Sequence, residues 1–278
     1  VRKATADPSY ARRLDEVAAN ATAATATALI EGWWCKASPG IPFRRANAAL
    51  PPLGALGGQG FARSSLRSVE SWYRSHGVVP RIQVSTADPE WNALDDFLAS
   101  RGYVIDGPVE VLTARSWTVK ERSQRFADRL RMGPNGREVA VTVQPGVDID
   151  WVAGISRVHG DDQVAQRRTL ALGRLFEPAG TSAFGGSVTV ARTPVGVAFG
   201  VHERGFVGVF GMATAPTWRR RGVAGSLLGA MATGADLLGA PNLYLQVEVG
   251  NQPAAHLYRG GLGFDVSHRY HYRVKKEP

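Results

Sequence analysis

At 278 residues, with 44 % apolar and 21 % charged side chains, the chain can bury one large core or two modest ones and has the balance of an ordinary globular protein. No apolar run approaches the ~20 residues of a membrane span, and the opening Val1-Arg2-Lys3-Ala4 lacks the apolar core of a secretory leader. Cys35 is the only cysteine, which excludes an intrachain disulfide and argues against a cysteine metal cluster; no metal site is expected, and a cytoplasmic location is.

The net charge of +9, from 33 Lys and Arg against 24 Asp and Glu, favours a polyanionic ligand. Nucleic acid and a phosphate-bearing cofactor both qualify. The zinc-finger spacings and aromatic-rich strands of nucleic-acid modules are missing, which points away from the first.

In chain order, residues 9–31 are rich in Ala and Thr, with Leu14, Val17, Leu29 and Ile30 as the larger apolar groups, and predict mostly helix. A strand is expected at 33–36 and, after the Ser38-Pro39-Gly40 turn signal, a returning strand at 43–48. Helices are predicted over 61–76 and 91–101, with a short strand at 81–85 between them. Asp106-Gly107-Pro108 breaks 103–114 into a strand pair. The charged stretch 117–137 reads as a partly helical connection, dividing the chain into 1–116, 117–137 and 138–278. Beyond it follow a strand at 138–144, helices at 151–159 and 164–176, and three antiparallel strands at 187–191, 195–202 and 206–214. A small-residue helix at 222–238, a strand at 243–249, a helix at 253–259 and a strand at 264–274 complete the order.

Three anchors repeat at a nearly constant offset of about 162 residues: Gly60 with Gly222, Gln83 with Gln246, and Gly102 with Gly263. Each pair sits in the same element context, so two structurally related halves are expected.

The sharpest local signal is the strand, arginine-rich turn and small-residue helix over 206–232. A helix start offers unpaired N–H groups and a positive dipole end. Gly222 permits unusual backbone angles, and Ala224 and Gly225 keep the first turn free of bulk, so backbone amides there can cradle a pyrophosphate beside Arg219, Arg220 and Arg221. This segment, Arg219-x-x-Gly222-x-Ala224, resembles the Gln/Arg-x-x-Gly-x-Gly/Ala signature of the GNAT superfamily of N-acetyltransferases. Downstream, the segment 243–251, a strand ending near Asn251, then Ala254-Ala255 and Leu257-Tyr258 before Gly263-Phe264, resembles the superfamily's second cofactor-side motif.

The resemblance, over about 138–274, implies an acetyl-CoA-dependent N-acetyltransferase. It implies that Met212, Ala213 and Thr214 bind the pantetheine arm and acetyl group through backbone bonds. Arg219 to Ser226, including Val223, Ala224 and Gly225, would bind the pyrophosphate. Asn251 and Ala254 would lie along the cofactor, and Tyr258 would protonate the leaving thiolate. The acceptor is expected to be a primary amine of a small molecule or peptide, attacking the thioester directly. About one Lys amine in 10³ is neutral at pH 7, so a proton acceptor is needed. Many members carry a Glu on the strand before the phosphate turn, whereas 206–214 has no carboxylate. Others have Glu where Gln246 stands; Gln246 can only orient water. Glu248, on the same strand face, and Glu203 are the nearest carboxylates in sequence. His159, Asp161 and Asp162 fall where the superfamily lines the acceptor side.

The first half resembles a degenerate copy, giving a tandem GNAT of α/β (α+β) class with mixed, mostly antiparallel sheets flanked by helices. Gly57 to Ala62 occupies the phosphate-turn position without a preceding arginine, and Asp95-Asp96 replaces the Leu-Tyr neighbourhood. Trp33, Trp34, Arg44, Arg45 and Asn47 are candidates for a cleft or acceptor site. Two other readings stay open: a non-catalytic acyl-CoA-binding or sensing protein, and a basic protein associated with nucleic acid.

Overall fold

The protein is described by a computed structural model over residues 7–56, 59–133, 138–147, 149–158, 163–176, 178 and 182–275. The first half runs α1 (Pro8–Asn20), β1 (Ala26–Ile30), β2 (Trp33–Ala37), α2 (Gln59–Ser75), β3 (Arg81–Ser85), α3 (Trp91–Ser100) and β4 (Tyr103–Arg115). Then come α4 (Ser116–Arg131), β5 (Val139–Pro145), α5 (Ile149–Ile155), α6 (Gln163–Phe176), β6 (Ala183–Val190) and β7 (Thr193–Glu203). The last elements are β8 (Phe206–Thr214), α7 (Val223–Leu237), β9 (Asn242–Glu248), α8 (Gln252–His256) and β10 (Asp265–Lys275). This is the mixed, mostly antiparallel α/β architecture that the sequence pattern implies.

The residues gather into two compact units, 1–111 with 266–278, and 112–265. The sequence reading divided the chain instead at 116 and 138. The difference has two parts. Residues 117–131, part of the connection expected at 117–137, supply nearly all of α4 to the second unit, and β10 joins the first unit by pairing antiparallel with β3, from Tyr270↔Ser85 to Val274↔Arg81.

In the first unit the helix expected through residue 31 stops at Asn20. Residues 26–30 pair with β2, and Glu31 (φ 47°) and Gly32 (φ 85°) form the two-residue hairpin turn between them. Positive φ at both central positions matches the right-handed strand twist. The strand expected at 43–48 is a 3-10 turn, Arg44–Asn47. The Asn47 side chain accepts from the Ser38 N–H and donates to the Ile41 and Phe43 carbonyls, curling the chain before it can pair. β4 runs unbroken through Asp106-Gly107, with Gly107 at φ 59°.

The core of this unit collects Trp33, Leu66, Tyr73, Ile82, Leu94 and Leu98, all buried. Burying each large apolar side chain is worth roughly 1.5–3 kcal/mol. Polar groups fix β10 in place. Asp15 on α1 accepts from Gln83, Ser85 and His268 at 2.8, 2.5 and 3.0 Å, fully out of solvent. Asp95 on α3 receives Arg273 in a bidentate pair at 2.7 and 2.6 Å and His271 at 2.7 Å. One of the three repeated anchors, Gly102 (φ 80°) with Gly263 (φ 79°), has a left-handed φ in both positions, before β4 and before β10.

In the second unit, to which β4 contributes only residues 112–115, the strands follow the order β4-β9-β8-β7-β6-β5. β5 to β8 are antiparallel in succession and β8 and β9 are parallel. One aromatic cluster, Trp151, Phe176, Phe199, Phe210 and Tyr244, joins α5 and α6 to the sheet through ring contacts of 5.1–5.9 Å. α4 and α7 pack together. Ser116 Oγ and Lys120 Nζ both bind Asp236 at 2.9 and 3.0 Å, and Val119, Ser123 and Leu130 are buried.

Asp95 and Arg273 are 16 % and 10 % exposed. Burial pushes the Asp95 carboxyl up, but hydrogen bonds from Arg273 and His271 outweigh it and hold it below the ordinary value. Asp95→Ala leaves Arg273 buried without its carboxylate and is expected to cost about 3–5 kcal/mol in urea unfolding at pH 7. Because the folded carboxyl titrates low, the pair's contribution is complete above about pH 4 and is lost as the pH falls further. A mutant as stable as the parent at pH 7 would show that the pair is not structural.

Candidate active site

The geometry of the site starts with a bulge. The β7–β8 ladder passes from Phe199↔Phe210 to Val197↔Ala213, so β8 carries one residue more than β7 at this point. Gly211, at φ 53°, is within the extra stretch. A bulge bends the strand and increases its local twist. On its other side β8 pairs with β9 only from Phe206↔Asn242 to Val209↔Leu245, although β8 runs on to Thr214 and β9 to Glu248. The two parallel strands therefore part at their C-terminal ends. The Ala215 N–H reaches the Val195 carbonyl on β7 at 2.9 Å. Strand alternation then turns the polar backbone of Met212 and Thr214 toward the open edge and that of Ala213 toward β7.

After a 3-10 turn at Pro216–Trp218 come the three arginines, all exposed, with Arg220 at φ 63° and Arg221 resting on the Trp218 ring at 5.1 Å. Gly222, at φ 96°, is the N-cap of α7. No side chain caps this end, which leaves the N–H groups of Val223, Ala224 and Gly225 to a ligand. Ser226 differs: its N–H and its hydroxyl both bond to the Gly222 carbonyl, at 2.9 and 3.0 Å.

The glycines here meet a second demand that the sequence did not reveal. A Cβ on Gly222 would lie 2.4 Å from the Phe126 carbonyl oxygen, and one on Gly225 2.3 Å from the Phe126 ring. The same ring approaches Gly261, and Arg125 donates to the Gly261 carbonyl at 2.5 Å. α4 thus braces both the phosphate-type turn and the segment around Tyr258. No local signal in 117–137 announced this, because the recess that receives Phe126 is made by glycines far along the chain.

Tyr258 lies in a π turn, Leu257–Gly261, that continues α8. Such turns are frequent at functional sites. Its ring is buried beside Phe264, centroids 6.1 Å apart, and burial pushes the phenol up to about 12. Asn251 is the N-cap of α8, its Oδ1 accepting from Ala254 at 3.3 Å. Gln246, on the strand face it shares with Tyr244, has a buried Oε1 with no hydrogen-bond partner among the described residues. Glu248 is exposed. Glu203 sits at the opposite end of the β7–β8 hairpin, paired with Phe206, and binds Arg204 at 3.0 Å. His159, Asp161 and Asp162, and Gly57 and Gly58, lie outside the described residues.

The ends of β8 and β9, the start of α7 and the Asn251 cap thus stand at one end of a parallel strand pair, the usual position of ligands in such sheets. In the first unit the corresponding helix α3 carries Asp95, which is taken up by Arg273 and His271. Trp33 is core, and Arg44 is held by Asp106 at 2.9 Å. Among the described residues no group of three His, Cys, Asp or Glu is arranged to hold a metal. No helix among them is long and apolar enough to cross a membrane.

The model of a family described as "Probable histone acetyltransferase Rv0428c C-terminal" matches residues 8–273. No curated protein matches the chain. Solved structures share its fold. A GCN5-related N-acetyltransferase from Kribbella flavida is 14 % identical with a TM-score of 0.64, over 98 % of this chain and 96 % of that one. A tandem GNAT protein from the clavulanic acid biosynthesis pathway is 15 % identical with a TM-score of 0.65, over 95 % and 88 %. A functionally unknown conserved protein from Staphylococcus epidermidis is 10 % identical with a TM-score of 0.62, over 92 % and 95 %.

Gly222→Ala forces a left-handed φ on an L-residue and drives its Cβ into the Phe126 carbonyl. The expected loss is about 1–3 kcal/mol of unfolding free energy, read by denaturant titration. Unchanged stability would mean that α4 does not seat on this turn.

Proposed function

Since the chain belongs to the family described as probable histone acetyltransferase Rv0428c C-terminal, with the tandem GNAT fold, we propose that it is an acetyl-CoA-dependent N-acetyltransferase whose acceptor is a primary amine. The observation that carries this reading is the parting of β8 from β9 directly upstream of an uncapped helix N-terminus. The open edge at Met212 and Thr214 can hydrogen-bond an extended amide-bearing arm as an added strand would. The N–H groups of Val223, Ala224 and Gly225, with Arg219, Arg220 and Arg221 beside them, suit a pyrophosphate.

In the reaction the amine nitrogen attacks the thioester carbonyl, the carbon–sulfur bond breaks, and the thiolate leaves. Tyr258, held protonated by its burial, donates to that sulfur. Gln246 accepts a hydrogen bond from the incoming amine or from the water that takes its proton, which gives its orphaned Oε1 a partner. Asn251 fixes the start of α8 beside the cofactor arm. Glu248, exposed at the end of β9, is the nearest carboxylate on the Gln246 face and relays the proton to solvent. A side-chain amine of a histone, the protein named in the family's description, and a small-molecule amine both fit this chemistry.

The absence of a carboxylate from 206–214 favours a second reading, an acyl-CoA-binding protein without turnover. Release of free thiol from acetyl-CoA across an amine panel separates the two: transfer to any amine supports the enzyme, and tight CoA binding with none supports the sensor. In the enzyme, Tyr258→Phe should lower kcat by about 10²-fold or more with little change in KM. Arg221→Glu combined with Gly222→Asp should abolish CoA binding. The rate should rise through pH 7–10 as the acceptor amine loses its proton, with no descending limb there, because Tyr258 ionises only near 12. A rate that peaks near neutrality would assign the proton transfer to another group.

A further inference from the structure

α4 has one packed face and two unlike flanks. Val119, Ser123, Phe126 and Leu130 form the face toward α7. On one flank Lys120 is bound to Asp236 at 3.0 Å. The other flank carries Arg122, Arg125 and Arg129, three and four residues apart and therefore in one row. All three are exposed. Arg125 donates to the Gly261 carbonyl, and the Arg122 guanidinium lies beside Gly263, 2.8 Å from where a Cβ would stand. This flank therefore borders the Tyr258 turn, while the backbone of Phe126 touches the turn at Gly222.

Among the described residues, none of Arg122, Arg125, Arg129, Arg219, Arg220 or Arg221 enters an ion pair. Glu121 and Asp128, the carboxylates of α4, form no ion pair with these arginines among the described residues, so six guanidiniums on two touching elements leave an excess of positive charge that favours an anion. A pyrophosphate at the start of α7 answers the three on the turn. The row on α4 remains.

We infer that Arg122 and Arg129, with Arg125 steadied against Gly261 between them, bind the 3′-phosphate of the coenzyme, so that the protein discriminates CoA from 3′-dephospho-CoA. This rests on the acetyl-CoA reading above. A phosphate monoester carries nearly two negative charges and three acceptor oxygens, and arginine forks bind such groups in paired hydrogen bonds.

The test is calorimetric titration of the full chain with CoA and with 3′-dephospho-CoA at one fixed salt concentration. The unaltered protein should bind CoA about 10–100-fold more tightly, as expected for one or two charge-assisted hydrogen bonds. Arg122→Gln with Arg129→Gln should weaken CoA to near the level of the dephospho form and leave the latter's affinity in place. Lys120→Gln, on the Asp236 flank, should change neither. Should the double variant fold poorly by thermal melt, Arg129→Gln alone is read in the same way. Equal affinity for the two nucleotides in the unaltered protein overturns this inference only. Equal weakening of both by the double variant also overturns it, since it would show general attraction. Binding of neither nucleotide overturns the cofactor reading and this inference with it.

Discussion

The site depends on one mismatch of strand length. Between two ladder pairs that β7 spans with Val197 to Phe199, β8 spends four residues, Phe210 to Ala213, and Gly211 absorbs the excess with a left-handed φ. The bend this produces ends the parallel pairing with β9 at Val209. Without it the two strands would close their edges on each other, and no backbone at Met212 or Thr214 would be left to receive a ligand. The uncapped start of α7 and the Asn251 cap follow directly on the diverging ends of β8 and β9.

A second constraint is steric. Phe126 reaches the turn before α7, the first turn of that helix and the segment after Tyr258 together, and only glycine at 222, 225 and 261 makes room for it. Small residues at a phosphate turn are ordinarily explained by the ligand's need for close backbone approach. Here they answer to a neighbouring helix as well. The turn's shape is consequently set from the protein side, and the proposed ligand would meet it already formed.

Much of this was legible in the sequence. The order of strands and helices in the second half followed from hydrophobic period and from glycine and proline punctuation, and the arginine-glycine turn stood out against it. Of the repeated anchors, Gly102 and Gly263 share a left-handed φ ahead of β4 and β10. Other features were hidden for identifiable reasons. Residues 22–30 have the composition of a weak helix, and what makes a strand of 26–30 is the Glu31-Gly32 turn with β2 as partner. The returning strand at 43–48 is displaced by bonds from the Asn47 side chain, which period alone does not show. The role of α4 was invisible because charge patterning describes a helix's wet faces and says nothing of the glycines its Phe will meet. The orphaned acceptor of Gln246 is likewise a property of packing and not of spacing.

The placement of β10 has a bearing on how the molecule is made. β3, complete once residue 85 has been synthesised, finds its antiparallel partner only in residues 265–275. The intervening stretch includes every strand and helix of the second unit, residues 112–265. Synthesis thus leaves the first unit waiting with an exposed strand edge and a buried-type carboxylate, Asp15, still lacking His268, while the second unit is made behind it. The first unit therefore closes its sheet with the last strand of the order, and its completion depends on a segment that follows the whole of the second unit.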